Sequence, residues 1–150
     1  SSGKSTVGKM LSEKTSMPLI ELDSLIVDKI GMPISEYMPK FGEKAFRDVE
    51  SEIIREVSEK TGCIISTGGG CVLRGENVRA LKRNGFLVFL NRDIDKLLVT
   101  SDRPLSSSRD AIEKMWEIRK PLYLAAADIV ADGNGDIENE ISFIIEEALK

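Results

Sequence analysis

Residues 1–6 read Ser-Ser-Gly-Lys-Ser-Thr, the last six positions of the phosphate-gripping pattern G-x-x-x-x-G-K-[ST]. Each residue type there suits an anion. Gly3 lets the backbone close on phosphate oxygens, and the N–H groups around Ser2, Gly3, Lys4, Ser5 and Thr6 stand at a helix start, where the dipole favours negative charge. Lys4 would reach the β and γ oxygens of ATP, and the Ser5 hydroxyl would ligate Mg²⁺. Lys9, further along, is expected to face solvent. Three other clusters follow. Glu21-Leu22-Asp23 offers two carboxylates after an apolar run, and residues 42–47 read G-E-K-A-F-R. Residues 67–70 read T-G-G-G, where Gly68, Gly69 and Gly70 would let backbone N–H groups come close to a ligand. Glu50 stands three residues after Arg47 on one helix face, so it can hold the guanidinium in place.

These residues need elements to position them. Short β-type runs at 19–22, 63–66, 86–90 and 129–131 alternate with longer segments of helical period, the pattern of a parallel sheet covered by helices. Residues 43–60 carry Phe46, Val49, Ile53, Ile54 and Val57 close to an i, i+3, i+4 stripe, with Gly62 as the stop signal. Further helices are expected at 4–15, 76–84, 94–100, 109–126 and 137–149, the last capped by Asp136. Asp23, directly after a strand, suits either a helix start or an acid–base role.

Composition narrows the field. A chain of 150 residues is one domain by the usual size prior. It is large enough to bury roughly 70% of the surface that its unfolded form exposes. Its 21 basic and 25 acidic residues give a net charge of −4, and with few aromatics nucleic acid is not an expected partner. An anionic ligand must therefore be held in a pocket by local Arg, Lys and N–H groups. There is no histidine, so His-based triads and His metal sites are excluded. Cys63 and Cys71 match no metal or disulfide framework, and Cys63 opens an apolar run where a buried free thiol is expected. No apolar run is long enough to span a membrane and no signal peptide opens the sequence, so a cytoplasmic setting is expected.

Taken in order, the motifs at 1–6, 21–23, 42–47 and 67–70, with D-R-P-L at 102–105 and R-K-P-L-Y at 119–123, resemble the shikimate kinase family over essentially the whole chain. The resemblance implies an α/β, three-layer αβα P-loop kinase fold with a central parallel sheet. It further implies transfer of the ATP γ-phosphoryl group to the 3-hydroxyl of shikimate, with Mg²⁺ as cofactor, ATP and shikimate as the partners and a monomeric enzyme. Arg47 and Arg119 match the family's carboxylate-binding positions, and a guanidinium fork suits a carboxylate better than an ammonium. Gly68, Gly69 and Gly70 match the glycine turn at the acceptor. Asp23 matches the carboxylate that accepts or orients the proton of the acceptor hydroxyl. Residues 24–60 match the acceptor-binding helices. Residues 101–108 match a lid whose Arg103 would swing in to neutralise charge on the phosphoryl group in flight.

Some positions depart from the family pattern. Glu21 stands where an Asp is common, and would help to hold Mg²⁺ through water from one methylene further out. The lid is short, and Val99 lies near the place of an arginine that often stacks on adenine. The strand that must deliver the chain into a phosphate loop would lie upstream of residue 1, so the sequence is expected to begin inside a longer protein. Two other functions fit parts of the pattern. A gluconate-type kinase shares the loop and lid, and a catalytically silent binding module would account for Glu21 and the short lid.

Overall fold

The computed structural model describes residues 4–91, 109–133 and 135–149. In order they form α1 (Lys4–Thr15), β1 (Leu19–Glu21), α2 (Leu22–Ile30), α3 (Ile34–Phe41), α4 (Glu43–Val57), β2 (Ile64–Ser66) and a 3-10 helix (Gly69–Leu73). Then come α5 (Gly75–Asn84), β3 (Val88–Asn91), α6 (Arg109–Ala126), β4 (Ile129–Asp132) and α7 (Ile137–Ala148). The helix expected at 94–100 and the lid at 101–108 lie outside the described residues. The described strands form two parallel pairs, β1 with β2 and β3 with β4, and helices fill the intervals, so the class is α/β. No strand joins the two pairs among the described residues. The chain divides into two compact units, Met17–Gly85 and the remainder.

The Met17–Gly85 unit is built on α4. Its apolar stripe buries Phe46, Ile53, Ile54 and Val57, and α2 adds Leu22 and Ile26, both fully enclosed. In register, Leu19 pairs with Ile64 and Glu21 with Ser66, which brings the carboxyl ends of both strands to the same level. Leu22, expected to close the strand, instead opens α2. The segment 24–41 resolves into two helices that break at Gly31, whose φ of 73° is left-handed. α4 ends at Val57, short of the expected residue 60. Ser58 Oγ donates to the Ile54 carbonyl at 2.5 Å, a local bond that competes with further helix, and Gly62 lies beyond it in the turn at φ 66°. Asn84 Nδ2 donates to the Ser58 carbonyl at 3.0 Å and ties the ends of α4 and α5 together.

In the other unit, β3 and β4 pair from Val88 with Ile129 to Asn91 with Asp132. Leu87 N donates to Asp128 Oδ2 at 2.7 Å just ahead of the ladder, and β3 starts at Val88, two residues later than expected. Val7, Ala131, Ile141 and Ile144 form the core, joining α1, β4 and α7. Phe89 stacks on Tyr123 with ring centroids 5.0 Å apart and tilts against Trp116 at 5.9 Å, which seats α6 on β3. Asp136 caps α7 as expected, its Oδ1 accepting from Glu138 N at 3.1 Å. Of the thiols, Cys71 is the buried one and Cys63 is half-buried, because Cys63 lies just ahead of β2 and Cys71 sits inside the 3-10 helix.

Candidate functional site

Six of the site residues expected from the sequence, Glu21, Asp23, Arg47, Gly68, Gly69 and Gly70, lie in the Met17–Gly85 unit, at and around the carboxyl ends of β1 and β2, the usual ligand side of a parallel sheet. Glu21 ends β1 and Asp23 sits in the first turn of α2, where the helix dipole stabilises a carboxylate. Beside Asp23 an open depression of about 290 Å³ is lined by Asp23, Ser24, Val27 and Asp28. After β2 the chain reaches Gly68, where an added Cβ would meet Asp23 Oδ1 and Glu50 Oε2, each at 3.4 Å. The Asp23 and Glu50 carboxylates therefore converge on this glycine. At Gly70 a Cβ would run into the Arg47 guanidinium itself. Gly70 is a glycine because the Arg47 fork lies across its backbone.

Arg47 is held from below. Its Nη1 donates to Glu50 Oε1 at 3.0 Å, with the Glu50 side chain only 1% exposed, and its Nη2 reaches Glu43 Oε1 at 3.4 Å. A buried carboxylate needs such a partner, because an unpaired charge out of water is expensive. The guanidinium carbon also lies 4.9 Å from the Phe46 ring centroid. Arg47 Nε is buried without a hydrogen-bond partner, so one donor of the guanidinium is left unused. The Glu50 support expected from the i, i+3 spacing is thus in place.

Glu21 Oε1 is likewise buried without a hydrogen-bond partner. A carboxylate oxygen of that kind is the donor that Mg²⁺ takes, directly or through a water, and Mg²⁺ is commonly bound by one or two carboxylates together with phosphate oxygens. Lys4 and Ser5 open α1, Thr6 on the same helix is exposed, and Lys9 is exposed as expected. Ser2, Gly3 and Arg103 lie outside the described residues. Arg119 is half-buried on α6, in the unit that does not contain Asp23 and Arg47.

Three residues that sequence reading passed over complete the frame. Arg74 follows the 3-10 helix and reaches α4, with Nη2 2.9 Å from Asp48 Oδ1 and Nη1 3.3 Å from Ser51 Oγ. Asn77, 2% exposed, donates from Nδ2 to the Cys71 carbonyl at 3.0 Å inside the same turn. Ser51, also buried, lies one helical turn beyond Arg47. No spacing rule ties residue 74 to residues 48 and 51, so only the fold reveals the contact.

The chain matches the family model described as Shikimate kinase over residues 1–150. It is 37% identical over 147 residues to the shikimate kinase of Thermodesulfovibrio yellowstonii, covering 93% of this chain and 84% of that one. Among solved structures it is similar to shikimate kinase from Acinetobacter baumannii in complex with shikimate, with a TM-score of 0.90 and 27% identity over 99% of this chain and 90% of the other. It is also similar to shikimate kinase from Aquifex aeolicus, with a TM-score of 0.84 and 33% identity over 97% and 89% of the two chains.

Proposed function

The chain belongs to the shikimate kinase family, and from that premise we propose that Asp23, Arg47 and the glycine turn at 68–70 form its acceptor site for shikimate. The enzyme is an ATP-dependent kinase of P-loop fold, and the reading concerns which of its residues carry the transfer. What carries the reading is the Arg47 fork, seated on Gly70 and tied to the buried Glu50, with Asp23 close to Gly68.

Shikimate brings a carboxylate and hydroxyl groups. The carboxylate would lie against the preset guanidinium of Arg47, so that little ordering is left to bind it, and Arg119 is read as a second carboxylate-binding residue. Asp23 would accept a hydrogen bond from the 3-hydroxyl and take its proton as the oxygen attacks the γ-phosphorus and the bond from that phosphorus to the bridging oxygen breaks, releasing ADP. Backbone N–H groups of Gly68, Gly69 and Gly70 would orient the ring. Lys4, with the N–H groups of Ser2, Gly3, Ser5 and Thr6, would hold the phosphates, and Arg103 would neutralise charge on the moving phosphoryl group. Ser5 and Glu21 would hold Mg²⁺, which supplies charge neutralisation at the phosphate oxygens when bound. Expulsion of water by the 101–108 segment would favour transfer to the alcohol over hydrolysis.

We also read the enzyme as a cytoplasmic monomer. Among the described residues no helix is long and apolar enough to cross a membrane, and sedimentation of the purified protein tests the monomer. Steady-state ATP consumption with shikimate or gluconate as acceptor tests the chemistry. Turnover is expected with shikimate only. Asp23→Asn should lower kcat by about 10²- to 10⁴-fold while the melting temperature stays close to wild type. A variant that keeps wild-type kcat would remove Asp23 from the reaction.

A further inference from the structure

The Arg74 guanidinium lies outside the cluster just described, yet it touches the helix that presents Arg47. It binds that helix at two points, Asp48 Oδ1 at 2.9 Å and the buried Ser51 Oγ at 3.3 Å, and it also approaches Glu76 Oε1 at 3.7 Å. Asp48 and Ser51 follow Arg47 on α4, one residue and four residues beyond it. Arg74 itself closes the segment that contains the glycine turn. The 3-10 helix is thereby fastened to α4 at both ends. At its start Gly70 lies on the Arg47 guanidinium, and at its finish Arg74 grips Asp48 and Ser51. Asn77 braces the interval through the Cys71 carbonyl at 3.0 Å.

We propose that Arg74 is a positioning residue for acceptor binding: by clamping the end of the glycine turn to α4 through Asp48 and Ser51, it sets the Gly70 backbone against the Arg47 fork. The proposal rests on the reading of Arg47 as the carboxylate-binding group. Two long-range contacts to one helix define a position, whereas one would leave the turn free to pivot. A 3-10 helix of five residues has poor hydrogen-bond geometry of its own and depends on such anchors. The nearby arginine also holds the Asp48 carboxyl below the usual carboxylate range, Lys44 adding to the effect. Loss of the clamp would loosen the turn under the acceptor and leave the phosphate-binding loop at the start of α1 as it is. The expected signature is therefore specific to one substrate.

Arg74→Gln, Arg74→Lys, Asp48→Asn and Arg47→Lys in the intact enzyme test this. KM for shikimate, KM for ATP, kcat and melting temperature are measured for each. Arg74→Gln should raise the shikimate KM by roughly three- to tenfold, with the ATP KM and kcat within about twofold of wild type. Arg74→Lys, which keeps a charge near Asp48, should recover part of that rise. Asp48→Asn should raise the shikimate KM less, and the Arg74→Gln/Asp48→Asn double variant should fall short of the product of the single effects. An unchanged shikimate KM in Arg74→Gln, alongside a raised one in Arg47→Lys, overturns the proposal and leaves the reading of the site standing. Parallel rises of both KM values with a lowered melting temperature also overturn it, since they mark general loosening. An unchanged shikimate KM in Arg47→Lys ends the reading of the site itself.

Discussion

A guanidinium that is to bind a small carboxylate must be rigid before the ligand arrives, and Arg47 is made so by Glu50 below it and Gly70 across it. This gives Gly70 a testable role. In Gly70→Ala the new methyl group occupies the space of the Arg47 fork, and because the side chain is only 12% exposed it has little room to yield except outward. The shikimate KM should rise by about tenfold or more, and the melting temperature should fall as Glu50 loses its close partner. Wild-type acceptor KM in this variant would mean that the fork does not contact the acceptor from that seat. The same geometry decides how Arg47 should be probed. Arg47→Ala removes the ion pair that the buried Glu50 carboxylate makes with the guanidinium, whereas Arg47→Lys keeps the charge and removes only the fork. The Arg47–Glu50 pair was legible in the sequence as an i, i+3 spacing on one helix. The reason for Gly70 was not, because it depends on a side chain 23 positions earlier that only the folded chain brings near.

The elements are positioned by local chemistry of varying legibility. The amphipathic stripe of α4 and the cap of α7 could be read directly, since each uses residues within a few positions of one another. The 3-10 helix after β2 could not, because five residues, two of them glycine, carry no periodic signal, and its shape is fixed by Arg74 at its end and Asn77 in the next helix. α2 and α3 were expected only as a helical region, and their boundary is a backbone matter, the left-handed Gly31 followed by Pro33. The α7 cap offers a clean test of an element's own contribution. Asp136→Ala removes the acceptor for Glu138 N, and α7 carries Ile141 and Ile144 into the core of its unit. Thermal or urea unfolding should register a loss of about 0.5–2 kcal/mol, with Asp136→Asn retaining most of the stability. Equal losses in the alanine and asparagine variants would show that the cap hydrogen bond is not what matters there.

For the molecule as a whole, the alternation of short apolar runs with helical segments was enough to indicate an α/β chain, and the register of both parallel pairs agrees with it. The assignment of strands to two pairs was not legible, since pairing depends on which strands lie side by side and each run alone is only three or four residues long. Charge, by contrast, could be counted but not placed, and its placement sets how stability responds to pH. The Lys29 ammonium holds the Glu52 carboxyl below its ordinary range through a 2.7 Å hydrogen bond, and Arg74 does the same for Asp48. As pH falls toward about 4, the unfolded chain takes up protons at these carboxyls before the folded one does. The stability that each pair supplies is therefore complete above the ordinary carboxylate values and disappears as pH drops through the depressed ones. Lys29 works in the opposite sense. Glu52 raises its pKa, so its share is complete below the ordinary lysine value and is lost as pH climbs past the raised one. Melting temperatures of the wild type, Glu52→Gln and Asp48→Asn from pH 2.5 to 7 should converge at the acid end and separate toward neutrality. The separation should shrink in 1 M salt because the Lys29–Glu52 pair and the Asp48 carboxyl are exposed. Curves that stay parallel down to the lowest pH would mean that these ion pairs do not contribute to the acid sensitivity of the fold.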